Sequence, residues 1–94
     1  MSSSMHNAAS DLLAKAVVEL RKKAGMNQRE LAAALDREHS YIGRIETGQR
    51  RIDLIEWVQI LRVLNVDPEQ EISRMIRKLL PVVAKPRKRH GKVD

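Results

Sequence analysis

The stretch NQRELAAALDREHSYIGRIETG, residues 27–48, decides the fold because it has the pattern of two short helices joined by a turn. Asn27 and Glu30 have the three-residue spacing of a capping box, which predicts a helix start. The buried face of this helix is formed by Leu31, Ala32 and Leu35. We expect the helix to end near Asp36, followed by a turn of three or four residues.

The second helix of this stretch, predicted over about 38–47 and ended by Gly48, has little core character. Only Ile42 and Ile45 are clear core residues, so the helix is expected to lie on the surface. A short turn between two helices that cross steeply is typical of a helix-turn-helix. We therefore expect the outward side of this helix to fit the major groove of B-DNA, which is about 12 Å wide.

Upstream of this stretch, another helix is predicted over residues 11–24. Ser10 or Asp11 can cap its start, and Gly25 can take the left-handed conformation that ends it. Residues 1–10 are small and polar and are expected to form a disordered tail.

Two further helices are predicted downstream. One spans 54–64 behind the cap Asp53 and is apolar nearly all round, so it is expected at the centre of the domain or partly covered by a partner. Its polar stripe consists of Glu56, Gln59 and Arg62. The last helix opens with Asp67 as cap and Gln70 closing a capping box, and it ends at Pro81. No segment alternates with period two, so the predicted fold class is all-α with five helices.

The composition fits one small helical domain with an aliphatic core. The chain has 94 residues, 2% aromatic residues and no cysteine. We assign the domain to residues 11–80, between the N-terminal tail 1–10 and a basic C-terminal tail 81–94. No apolar run approaches the roughly 20 residues of a membrane span, and no secretory signal is recognisable. A cytoplasmic location is therefore expected.

The net charge of +6 is concentrated at the C-terminus. Residues 28–84 carry nine basic and nine acidic side chains, whereas residues 85–94 carry five basic and one acidic. A basic balance favours a polyanionic partner such as nucleic acid. The tail AKPRKRHGKVD is interpreted either as an arm that contacts DNA or as a solubilising end.

Residues 17–66 resemble the DNA-binding domain of phage repressors of the lambda class and of the bacterial XRE-type regulators. The matching features are LRKKAG, NQRELAAAL, the spacing to YIGRIETGQRR, and LNVD. The resemblance implies a five-helix, lambda-repressor-like fold. It also implies a bacterial or phage-derived protein that is associated with the nucleoid. Three residues depart from the family pattern: Asp36 where Gly is usual, Glu38 at the usual Ser/Thr cap, and Ile52 in place of Pro.

The resemblance also implies specific DNA contacts. Base contacts are expected from His39, Ser40, Tyr41, Gly43 and Arg44. Contacts to the DNA backbone are expected from Asn27, Gln28, Arg37, Arg50 and Arg51. An ion pair between Arg21 and Glu46 is expected to tie the first helix to the end of the third. The planar fork of Arg44 suits guanine O6 and N7, although the side chain can also be an ordinary solvated arginine, and Ser40 can instead satisfy the first helical turn.

The predicted function is that of a sequence-specific, double-stranded-DNA-binding transcription regulator, a repressor acting as a homodimer on two half-sites. The dimer interface is expected on the fifth helix and the exposed apolar parts of the fourth, although the same face can simply close the monomer core. Its candidate residues are Ile72, Met75, Ile76 and Leu79. The alternatives are the antitoxin of a toxin–antitoxin pair, with a toxin protein as partner, and a restriction-modification controller. An enzyme, a cofactor and a metal site are not expected, since the chain lacks a Gly-rich phosphate loop and metal-ligand spacing.

Overall fold

The computed structural model describes residues 7–83, and these form five α-helices without a β-strand among them. The helices are α1 Ala8–Lys23, α2 Gln28–Ala34, α3 Tyr41–Glu46, α4 Leu54–Val63 and α5 Pro68–Leu79. The predicted all-α class and the number of helices are therefore confirmed. The expectations for residues 1–6 and 84–94 lie outside the described residues.

Helix α1 begins three residues earlier than the sequence pattern predicts. Asn7 is its cap, and the Asn7 side chain accepts a 2.8 Å hydrogen bond from the Ser10 N–H. Neither Ser10 nor Asp11 is the cap, because Asn is as good a capping residue and is followed by two alanines with high helix propensity. Residues 7–10 thus belong to the helical part of the chain and not to a tail.

Helices α2 and α3 are joined by residues 35–40, a longer connection than predicted. The capping box of Asn27 and Glu30 is present, and Asp36 takes the left-handed conformation with φ 59°. Helix α3 starts at Tyr41 rather than Glu38, since the Glu38 carbonyl accepts the Tyr41 N–H in a turn before the helix. Glu38 is therefore not the cap, and Ser40 at that position makes no capping bond through its side chain.

Helices α4 and α5 begin at the predicted residues. Asp53 caps α4 and forms a capping box with Glu56, which is buried. Asp67 caps α5 through the N–H of Glu69, and the predicted capping box with Gln70 is not formed. Between the two helices, Asn65 adopts the left-handed conformation expected of it, with φ 61°.

The five helices enclose one aliphatic core. Helix α3 packs against α1 and α2, and α5 packs against α1 and α4. The buried residues of this core are Val17, Leu31, Ala32, Tyr41, Ile42, Ile45, Trp57, Ile60, Leu61, Leu64 and Met75. Within the described part of the chain, none of the helices has the length and apolar character needed to cross a membrane.

Candidate nucleic-acid interface

Helix α3 is anchored by three residues on its inward side. Tyr41, Ile42 and Ile45 recur at helical spacing and are all buried, and Tyr41 is only 4% exposed. The prediction that Tyr41 faces DNA bases disagrees with this burial, because the ring packs in the core. The one- and four-residue spacing of Tyr41 to the two isoleucines was the signal for a core position.

The outward side of α3 and the turn before it present polar side chains to solvent. His39 and Arg44 are exposed, and Ser40 and Gly43 are partly buried. The Arg44 side chain is 49% exposed and its Nη1 lies 3.0 Å from Glu38 Oε2. Exposed ion pairs of this kind contribute little free energy, so an outside acceptor can displace Glu38. Neither His39 nor Arg44 is turned inward.

The C-terminal end of α3 is held by a set of side chains that we call the Glu46 cluster. It consists of Arg21, Gln28 and Glu46. Arg21 Nε and Nη2 donate to the two Glu46 oxygens at 2.7 and 3.0 Å, and Arg21 Nη1 donates to the Met26 carbonyl. The hydrogen bonds that Arg21 donates to Glu46 raise the pKa of Arg21. The cluster joins α1, α2 and α3, so it sets how far α3 projects from the scaffold.

Gln28 occupies a different position from the one expected for a side chain that reaches toward DNA. Its Nε2 donates to Glu46 Oε1 at 2.8 Å. Its Oε1 would lie 3.2 Å from a Cβ atom placed on Gly43. The small size of Gly43 therefore has a reason inside the fold, since a larger residue there would press on the Gln28 amide.

A second set of side chains, the Glu56 cluster, lies at the other end of α3 and consists of Arg37, Tyr41, Arg50 and Glu56. Arg50 forms a bidentate pair with Glu56, with Nη1 at 3.0 Å from Oε1 and Nη2 at 2.8 Å from Oε2. Arg37 Nη2 lies 3.6 Å from Glu56 Oε2. The guanidinium carbons of Arg37 and Arg50 lie 4.1 and 5.0 Å from the centre of the Tyr41 ring, within the range of a cation–π contact.

Glu56 and Arg50 each stabilise the charged form of the other. The pKa of Glu56 falls to about 2, mainly because Arg50 donates to the carboxylate, with further contributions from the Asp53 N–H and the Tyr41 hydroxyl. The same contact raises the pKa of Arg50. Burial raises the pKa of Tyr41, so its hydroxyl keeps its proton at neutral pH. Glu56 is thus an anion at neutral pH, held between two arginines.

The two remaining residues expected at the DNA backbone differ in how they are used. The Asn27 side chain accepts the Glu30 N–H at 2.8 Å and is needed as the cap of α2, although the residue is exposed. Arg51 is exposed, and its carbonyl accepts a hydrogen bond from Arg50. Together with Arg37 and Arg50, Arg51 places three cations around the start of α3 and the loop behind it.

Sequence reasoning missed the role of Glu56. The sequence places Glu56 in a narrow polar stripe with Gln59 and Arg62 and indicates no partner for it. One signal was present in the sequence, since Asp53 and Glu56 have the same capping-box spacing as Asn27 and Glu30. The bidentate contact to Arg50 is a tertiary arrangement that no local spacing predicts.

Comparisons with known proteins agree with this geometry. The helix-turn-helix family model matches residues 17–70. An XRE-family-like protein from Pseudomonas syringae pv. tomato is 35% identical, with a TM-score of 0.71 over 80% of this chain and 92% of that one. The restriction-modification controller C.AhdI from Aeromonas hydrophila is 28% identical, with a TM-score of 0.62 over 68% of this chain and 97% of that one.

A third structure shares the fold at lower identity. It is the tetramer of the restriction-modification controller C.Esp1396I in complex with its natural 35 base-pair operator, 21% identical, with a TM-score of 0.68 over 80% of this chain and 99% of that one. No curated protein sequence matches the chain. The family match over more than half of the chain and the XRE-family relative lead to one conclusion: the chain belongs to the XRE-type helix-turn-helix family of DNA-binding transcription regulators.

Proposed function

We propose that this regulator binds a specific double-stranded DNA operator as a homodimer and acts as a repressor. The observation that carries the proposal is the division of α3 into an inward side of three buried residues and an outward side bearing His39 and Arg44. A helix anchored in this way can enter the major groove without unfolding any part of the core.

We divide the DNA contacts by chemistry. Base contacts are assigned to His39, Ser40, Gly43 and Arg44, and Tyr41 is left out because its ring is buried. Contacts to phosphates are assigned to Asn27, Arg37, Arg50 and Arg51, and Gln28 is left out because its amide is bound to Glu46. Phosphate contacts supply affinity and register, whereas the side chains on α3 supply the choice of sequence.

The dimer interface proposed from the sequence needs one revision. Met75 is 6% exposed and belongs to the monomer core, and Ile72 packs against that core, whereas Ile76 is 49% exposed. The exposed large apolar residues are Leu54, Ile55, Ile76, Leu80, Val82 and Val83. We therefore place the interface on the exposed side of α5 around Ile76, together with the start of α4, and keep Leu79 at its edge.

Light scattering on purified protein tests this interface. Ile76→Asp is expected to convert the dimer to a monomer, because a buried carboxylate in an apolar interface has no partner. Gln70→Asp, an equally exposed position on α5, introduces the same charge and should leave the mass unchanged. A dimer that survives Ile76→Asp with its mass intact would remove this surface from the proposal.

The decisive experiment on DNA binding is the selection of bound fragments from random duplex DNA. A dimer with two α3 helices should select a two-fold symmetric sequence whose half-sites lie about one helical turn, or 34–36 Å, apart. Recovery of fragments without any shared sequence would contradict a sequence-specific role. Transcription of a reporter downstream of the selected sequence then distinguishes repression from activation.

A restriction-modification controller is a second candidate, favoured by the 28% identity to C.AhdI over nearly all of that protein. The antitoxin alternative requires a toxin partner. Genes for a restriction enzyme or a small toxin beside this gene separate the two, and co-purification from the native cell tests for the toxin. Each candidate places the protein in the cytoplasm, where its DNA lies.

A further inference from the structure

We infer that Glu56 is a positioning residue for DNA binding: it holds the guanidinium groups of Arg37 and Arg50 over the Tyr41 ring so that both present their free edges to the phosphate backbone. The inference deepens the proposed function and rests on it. Nothing in a helix-turn-helix requires a buried acid beside phosphate contacts, and an anion near DNA would by itself weaken binding. The position of the Glu56 carboxylate beside two cations therefore needs a physical explanation.

Arg50 is bound along one edge of its guanidinium group. The Arg50 guanidinium has five N–H donors. Three of them are used, two by Glu56 and one by the Arg51 carbonyl. Two donors, including the Nε–H, are left without an acceptor among residues 7–83. An arginine held rigidly on one edge retains a second edge that can bind a phosphate oxygen.

The two cations of the cluster are more exposed to solvent than its anion. The side chains of Arg37 and Arg50 are each 37% exposed, whereas the Glu56 side chain is 10% exposed. The negative charge therefore lies behind the two positive charges and away from solvent. An approaching phosphate meets the guanidinium groups first, and the group charge of the cluster, two cations and one anion, stays positive.

The cluster also connects the segments on either side of α3 to the scaffold. Tyr41 is the first residue of α3, Arg37 lies in the turn before it, and Arg50 lies in the loop after it. Glu56 in α4 is the one member that belongs to the scaffold behind them. By binding these segments, it couples the position of the phosphate contacts to the orientation of the helix that reads bases.

A fixed arginine loses less rotamer entropy on binding than a free one, which is the physical gain of positioning. The gain applies where the phosphate sits in the correct register, that is, on the specific operator. On random DNA, where contacts are loose, the position of the guanidinium matters less than net charge. Positioning therefore predicts a change in the ratio of operator affinity to random-DNA affinity.

The test uses the full chain and two duplexes of equal length, the selected operator and a scrambled sequence, measured by fluorescence anisotropy. Glu56→Gln keeps an acceptor for the Asp53 N–H but lacks the charge that binds Arg50. We expect operator affinity to fall about fivefold to tenfold, while affinity for the scrambled duplex stays equal or rises slightly with the added positive charge.

A matched control measures how much the loss of one negative charge changes DNA affinity by itself. Glu30 occupies the same third position in the capping box of α2 but is exposed and has no arginine partner among the described contacts. Glu30→Gln is expected to raise affinity for both duplexes by a similar factor and so leave the ratio unchanged. Circular dichroism and thermal melting establish that every variant is folded at the assay temperature.

A double-mutant cycle tests whether Glu56 acts through Arg50. In an Arg50→Ala background, Glu56→Gln should change operator affinity less than about twofold, because the guanidinium that Glu56 binds most closely is gone and Arg37 is held only by a contact of 3.6 Å. Tyr41→Phe, which keeps the ring in the core and removes the hydroxyl, should have a small effect in the same direction. The operator affinity of Tyr41→Phe tests the inference independently if Glu56→Gln is unstable.

The outcomes separate the inference from the proposed function. A wild-type protein that does not prefer the selected duplex overturns the proposed function and the inference with it. If the wild type does prefer it, an unchanged affinity ratio in Glu56→Gln overturns the inference alone. Independent, multiplying effects of Glu56→Gln and Arg50→Ala would do the same, since they would mean that Glu56 does not act through Arg50.

Discussion

The Glu46 cluster and the Glu56 cluster use the same pair of groups, a buried carboxylate and a bidentate arginine, at opposite ends of α3. The difference lies on the cationic side. The Arg21 side chain is 10% exposed, whereas that of Arg50 is 37% exposed. All three guanidinium nitrogens of Arg21 are used inside the protein, by Glu46 and the Met26 carbonyl.

This difference indicates what each arginine does. A guanidinium that is enclosed, with every nitrogen bonded inside the protein, holds parts of the chain together, so Arg21 serves the fold. A guanidinium bound on one edge and open on the other holds itself in place for a second partner, as Arg50 does. The substitutions that separate the two roles are those whose effects on stability and on DNA binding differ.

The largest effect is expected from Glu46→Ala. Removing one partner of a buried ion pair leaves an uncompensated charge, which costs about 3–5 kcal/mol in the free energy of unfolding. Urea denaturation followed by circular dichroism measures it. The control is Glu38→Ala, whose ion pair with Arg44 is exposed and should cost less than about 1 kcal/mol. Equal losses in the two variants would contradict the structural role of the Glu46 cluster.

A smaller effect, on binding alone, is expected from Arg44→Ala. Arg44 lies on the outward side of α3 and belongs to neither cluster, so stability should be nearly unchanged. Operator binding should weaken by about 1–3 kcal/mol, with relaxed choice at one base pair. Competition with operators altered at single positions measures this. An equal loss on scrambled DNA would show that Arg44 contributes charge and not base readout.

The Glu56 cluster predicts a specific dependence of stability on pH. The pKa of Glu56 is about 2 in the folded chain, below its usual value of 4.5. As pH falls, the unfolded chain binds this proton first, so the stabilisation is complete above about pH 4.5 and is lost as pH falls toward about 2. Urea titrations across this range should show a smaller decline in Glu56→Gln than in wild type. Parallel curves would contradict the charged Arg50–Glu56 contact.

The smallest effect is expected from Arg51→Ala. Arg51 is exposed, so it contributes little to the core, and its contact with phosphate does not depend on sequence. Binding to the operator and to scrambled DNA should weaken by similar factors. The plot of log affinity against log salt should flatten by about one unit. An unchanged slope, measured beside Lys23→Ala as an exposed cation on α1, would argue against a phosphate contact by Arg51.

Local signals in the sequence predicted most of the helices and their ends. The Asn27–Glu30 box, the cap Asp53, and the left-handed residues Gly25 and Asn65 each depend on bonds between near neighbours in the chain. Such bonds are readable without a structure. The starts of α1 and α3 were predicted wrongly. At α1 a second capping residue competes with the predicted cap, and at α3 a turn replaces the predicted first helical turn.

The sequence by itself determined that this is a five-helix domain with a thinly anchored third helix, and the family pattern placed Arg21 opposite Glu46. Only the tertiary structure decided that Gly43 makes room for Gln28 and that Glu56 is buried against Arg50. The physical reason is distance along the chain. Burial and bidentate pairing depend on which helices meet, and neither spacing nor charge sign at one position carries that information.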